Sequence, residues 1–119
     1  MATYTREKLS GSTNGKSTKI AATATAGTTV HTAVSGTTSW DEIYMWVTNT
    51  STSPVALTVE FGGTTDPDNL IVKGLVIPAS SPPIPILTGQ ILQNGLTLAA
   101  FAGTANVLLV TGYVNRIAA

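Results

Sequence analysis

Val55-Ala56-Leu57-Thr58-Val59-Glu60-Phe61 places its large apolar side chains at odd positions and Ala, Thr and Glu at even ones. A period of two sends the odd set to one face of a β-strand and the even set to the other, so this stretch predicts a strand with one core face and one solvated face. Ile43-Tyr44-Met45-Trp46-Val47 keeps that period but is apolar on both sides, with Ile43, Met45 and Val47 against Tyr44 and Trp46. Val107 to Val114 repeats the pattern, Val107, Leu109 and Tyr113 alternating with Leu108, Val110 and Val114. A two-sheet sandwich has a single interior, so a second apolar face needs a cover. Charged residues make up only 10% of the chain, far below the usual quarter or so of a soluble domain. That composition favours a homo-oligomer in which copies cover one another, since obligate interfaces resemble a core cut in half.

With Val55 to Phe61, the β-like runs divided by turn residues are Ile20 to Thr25, Thr28 to Val34, Glu42 to Asn49, Leu70 to Ile77, Ile84 to Leu87, Leu96 to Ala102 and Val107 to Ile117. No helix-length amphipathic pattern competes with them, and eight runs suit two packed antiparallel sheets. Asn94-Gly95 is the sharpest hairpin signal, because both residues tolerate the positive φ of a type I′ turn. Pro83 and Pro85 have no N–H to give a ladder, which assigns the run after Pro83 to a sheet edge and makes that edge a candidate contact surface.

Residues 1–19 are Ser, Thr, Gly, Asn and Lys with little that is apolar beyond Tyr4 and Leu9. Such a segment has no core to pack into by itself and reads as a flexible N-terminal arm, leaving residues 20–119 as the folded domain. The arm holds Arg6, Lys8, Lys16 and Lys19 while the formal charge of the whole chain is zero, so these four are the candidate contacts to an acidic partner. Met1 to Lys8 is polar and charged where a secretory leader would need an apolar core, and no run approaches the ~18 apolar residues of a membrane span; with no cysteine, the expectation is synthesis in a reducing cytoplasm.

Catalytic arrangements are scarce. The lone histidine, His31, shares a strand face with Thr29 and Ala33 and reads as a solvated or hydrogen-bonded side chain. Asp41 and Glu42 are adjacent, so on a strand they point to opposite faces and cannot act as a glycosidase pair; they read as the polar start of a strand. Asp66-Pro67-Asp68-Asn69 lacks the Gly and the bidentate Glu of a calcium loop and reads as turn chemistry. Gly11 to Ser17 ends in Gly-Lys-Ser, yet only three residues separate Gly11 from Gly15 where a phosphate loop needs four. No catalytic, metal or cofactor residue is assigned, and the arm's single aromatic gives no specific nucleic-acid site. Trp40, Tyr44 and Trp46 leave a sugar-stacking platform open beside the reading that Tyr44, Trp46 and Tyr113, with Pro83 and Pro85, form a subunit interface.

The basic Thr/Ser/Gly arm, the run Ser39-Trp40-Asp41-Glu42-Ile43-Tyr44-Met45-Trp46-Val47-Thr48-Asn49, the stretch Leu70 to Ile77 closed by Pro78, and the terminal Val110-Thr111-Gly112-Tyr113-Val114-Asn115-Arg116-Ile117 together resemble the small jelly-roll capsid decoration, or cement, proteins of tailed bacteriophages. The resemblance implies an all-β jelly roll of about eight strands with an extended N-terminal arm. It also implies a virion location, a homotrimer on the capsid surface, the major capsid protein as partner, and no enzymatic activity. Related jelly rolls in phage necks, tails and fibres, and a carbohydrate-binding sandwich, stay as alternatives.

Overall fold

A computed structural model describes residues 2–118. They form nine strands: β1 (Thr3–Lys8), β2 (Thr18–Lys19), β3 (Thr28–Thr32), β4 (Ser39–Asn49), β5 (Val55–Phe61), β6 (Leu70–Ile77), β7 (Ile84–Leu92), β8 (Thr97–Ala102) and β9 (Leu108–Ala118). One sheet runs β1-β9-β4-β7, with β2 also on β9; the other runs β3-β8-β5-β6. Set aside the two-residue β2 and the pairs β1·β9, β3·β8, β4·β7 and β5·β6 nest from first-with-last to middle-with-middle, all antiparallel. That nesting is the wrapping of a jelly roll, and the all-β expectation of two antiparallel sheets holds, with nine strands in place of about eight.

The alternation read from sequence sets the inner faces. Ile43, Met45 and Val47 of β4, Leu57 and Val59 of β5, and Leu108, Val110 and Val114 of β9 are all fully buried in one core with Leu98 and Ala100 of β8. Each such Val, Leu or Ile contributes roughly 1.5–3 kcal/mol through burial. β4 and β9 pair without interruption from Ser39↔Ala118 to Asn49↔Leu108. Gly112 sits opposite Met45 in that ladder, and a Cβ there would run into the Tyr44 carbonyl oxygen, so the close approach of the two strands depends on glycine.

Three expectations need correction. Residues 1–19 do not form a free arm where they are described: Thr3–Lys8 pair with β9 from Ala118 to Tyr113, Thr18–Lys19 pair with Val110 and Leu109, and Leu9 is buried in the core. An edge strand needs no apolar face of its own, because the unpaired N–H and C=O row of β9 supplies its hydrogen bonds. Ile20 to Thr25 is not a strand; Ile20 enters the core and the following residues cross from one sheet to the other. Asn94 and Gly95 do take positive φ values of 63° and 68°, as a type I′ turn requires, but the turn links β7 in one sheet to β8 in the other and closes no hairpin. Pro85 lies on β7, which is an edge strand as that proline demands.

Candidate interaction face

The β4·β9 register fixes what stands on the outer face of the β1-β9-β4-β7 sheet. Trp40, Glu42, Tyr44, Trp46 and Thr48 oppose Ile117, Asn115, Tyr113, Thr111 and Leu109 in turn, and from β1 Tyr4, Arg6 and Lys8 oppose Ile117, Asn115 and Tyr113. Every tyrosine and tryptophan of the chain is therefore on this one face. Tyr44 and Tyr113 stack with centroids 5.0 Å apart and planes 19° from parallel, and Trp46 tilts onto Tyr113 at 6.1 Å. Arg6 reaches in from the opposite side of β9, its guanidinium carbon 4.6 Å from the Tyr113 centroid and its Nε donating to Asn115 Oδ1 at 3.4 Å. Tyr113 is thus clasped between a ring and a cation. Tyr4, at the margin, is 58% exposed.

Two sets of sequence candidates meet here. Tyr44, Trp46 and Tyr113 pack together, Pro85 is the register partner of Trp46, and Pro83 lies exposed just before β7. Arg6 and Lys8 join them through β1, whereas Lys19 projects from β2 and Lys16 from a tight turn in which its N–H donates to Thr13 and its carbonyl accepts from Ser12. A bulge in β7 at Gly89, φ 110°, leaves room beside the Tyr44 hydroxyl, 3.3 Å from where a Cβ would stand.

A second constellation lies inside, at the end of the sandwich under β1. The β3 register shifts between Thr29 and His31, and this bulge turns His31 inward, 1% exposed, onto Asp41 of β4, which is fully buried. His31 Nε2 donates to Asp41 Oδ2 at 2.7 Å, and Arg116 forks onto the same carboxylate, Nε to Oδ1 at 2.8 Å and Nη2 to Oδ2 at 3.1 Å. The Val34 N–H also donates to Oδ2, and the Ser10 N–H donates to His31 Nδ1 at 2.9 Å. This pattern assigns the imidazole proton to Nε2. Burial pushes the Asp41 carboxyl up; hydrogen bonds from Arg116 and His31 outweigh it and hold the group below its ordinary value. The Asp41 hydrogen bond raises Arg116 in turn.

The cluster borders a cleft of about 260 Å³ lined by Glu7, Lys8, Ser10, Ser12 and Arg116. Its serines are not set as nucleophiles: Ser10 Oγ accepts from the Thr32 N–H at 2.6 Å and it is the Ser10 amide that reaches the imidazole, while Ser12 Oγ donates to the Lys16 carbonyl. Both ring nitrogens are spent on internal bonds, so neither is free to take a substrate proton. Asp41, by sequence the polar start of a strand, is a buried tie among β3, β4 and β9. The alternation of Ile43, Met45 and Val47, carried two residues back, was the available signal for its inward face.

Elsewhere, Asn69 Oδ1 accepts from the Thr65 N–H and Asp66 pairs with exposed Lys73, so the Asp66–Asn69 loop acts as a turn. Among the described residues no three His, Asp or Glu side chains are grouped to hold a metal, and no helix is long and apolar enough to cross a membrane. Comparison with protein-family models, curated proteins and solved structures finds no match to this chain.

Proposed function

We propose that this protein is a structural component of a tailed-phage particle, a capsid decoration protein that binds the assembled head as an oligomer, a homotrimer in the family it resembles, and stabilises it. The observation that carries the reading is the aromatic row Tyr44, Tyr113 and Trp46, with Tyr4 and Trp40 beside it, on the outer face of a sheet whose inner face is already filled by the core. Aromatic and Arg side chains are the residues that anchor protein contacts. Arg6 lying on Tyr113 extends that surface onto the N-terminal strand, where Lys8 adds a second positive charge toward an acidic shell. Stabilisation needs no catalysis: a partner that binds only assembled shells favours them by mass action, and contact with several capsid subunits at once raises effective concentration. The internal commitment of both His31 nitrogens supports a non-enzymatic role.

A carbohydrate-binding module is the second reading, since aromatic rows on sandwich faces also stack sugars. Against it, Tyr113 has its ring faces occupied by Tyr44 and Arg6. Light scattering coupled to size exclusion distinguishes them. The decoration reading expects a discrete oligomer, three times the 12.2 kDa chain for a trimer, and co-sedimentation with capsids that lack the protein. Trp46→Ser should reduce the mass to that of one chain, an anchor of this kind being worth about 2 kcal/mol or more. A monomer that binds glycans and loses them in Trp46→Ser would overturn it.

A further inference from the structure

Among the described residues, Glu60 is the one carboxylate that is buried without a counter-charge. It stands on the outer face of the β3-β8-β5-β6 sheet, opposite Leu70 and Ala99, and is 1% exposed. The segment crossing between the sheets passes over it: Thr25 Oγ1 donates to Oε2 at 2.5 Å and the Gly27 N–H donates to Oε1 at 2.7 Å. Both donors are neutral, and among the described residues the ion pairs involve only His31–Asp41, Lys73–Asp66 and Arg116–Asp41. Asp41 shows how this protein treats a buried carboxylate elsewhere, with an arginine forked onto it. Glutamine would have provided acceptor and bulk to hold the crossing segment without a charge in a nonpolar setting, which ordinarily requires a partner cation.

Glu60 borders a cavity of about 210 Å³ whose other walls include Ala24, Thr25, Asp66, Leu70 and Phe101. The space is apolar along its sides with a fixed carboxylate among its walls. We infer that this cavity receives a lysine side chain of a partner protein, its methylene stem against Phe101 and Leu70 and its ammonium on Glu60. Each carboxylate oxygen has accepted one hydrogen bond and retains capacity for another, which suits a compact ammonium. Lysine needs only one open position on the carboxylate, whereas a bidentate arginine needs one on each oxygen along the same edge. The inference does not depend on the capsid reading; it holds for any partner that presents a lysine.

The test is an amide NMR titration of the intact protein with Nα-acetyl-lysine methylamide and, separately, its uncharged counterpart Nα-acetyl-norleucine methylamide. The lysine derivative should give saturable shifts at Thr25, Gly27 and Phe101, with the norleucine derivative and the Glu60→Gln variant each at least about tenfold weaker, the range of one charge-assisted bond. Equal binding of the two derivatives, or no saturable shift with lysine, overturns the inference. If Glu60→Gln loses its fold, the comparison of the two derivatives on the unaltered protein decides alone.

Discussion

Asp41 carries more bonds than any other side chain described above, and its neighbours show what its loss would do. Asp41→Ala leaves the buried His31 Nε2–H and the part-buried Arg116 guanidinium and Val34 N–H without their acceptor. Unfolding by urea should show a loss of about 3–5 kcal/mol, the range for breaking a buried pair from one side. The pH dependence has a definite sign. The folded-state pKa of Asp41 lies below its ordinary 3.8, so its contribution is complete above that value and is lost as pH falls through the lower, folded one. Stability measured downward from pH 5 should therefore drop below about pH 4 in the wild type and drop less in Asp41→Asn; parallel profiles would remove Asp41 from the acid response. The inward face of Asp41 was legible from the alternation of its own strand. Its partners were not, because His31 and Arg116 come from other strands and only topology brings them together.

At the level of strands, runs with an apolar period of two and firm turn residues were readable, and Val55–Phe61 and Leu70–Ile77 match their structural bounds. Thr3–Lys8 escaped because every side chain in it but Glu7 is exposed, so it carries no hydrophobic signature. Its stabilisation lies in the β9 ladder and in Arg6 on Tyr113. The boundary between detachable and integral chain falls at Leu9: from there the Ser10 amide is on His31 and the Gly11 N–H on the Val30 carbonyl. A variant lacking residues 2–8 should remain folded with a lowered Tm. Extending the deletion to residue 18 also removes the Leu9 side chain from the core and should cost about 2–5 kcal/mol more. Calorimetry of the two truncations checks the order. β6, the far edge of the second sheet, shows exposed Leu75 and Val76 but carries Lys73 and a positive-φ Gly74, features that discourage edge-to-edge pairing.

For the molecule as a whole, the doubly apolar strands announced a face in need of a cover, and the fold assigns it to one side of one sheet. In the proposed oligomer the contacts through that face are chiefly aromatic, so its mass should hold when salt is raised from about 0.1 M to about 1 M, conditions that shorten electrostatic reach from roughly 10 Å to roughly 3 Å. Dissociation at high salt would point to Arg6 and the lysines as the main contacts.

The nested order of strands also bears on how quickly the chain finds its shape. Only β5 and β6 are neighbours both along the chain and in a sheet, while β1 must wait for Ala118 before Thr3 has a partner. Closing a longer loop costs more entropy, so pairing is expected to start at the loop between Phe61 and Leu70 and spread outward, with the first and last strands meeting late. In stopped-flow experiments Val59→Ala should slow folding, whereas Arg6→Ala should act almost wholly by hastening unfolding. The reverse assignment would mean that the chain's two ends meet before its middle.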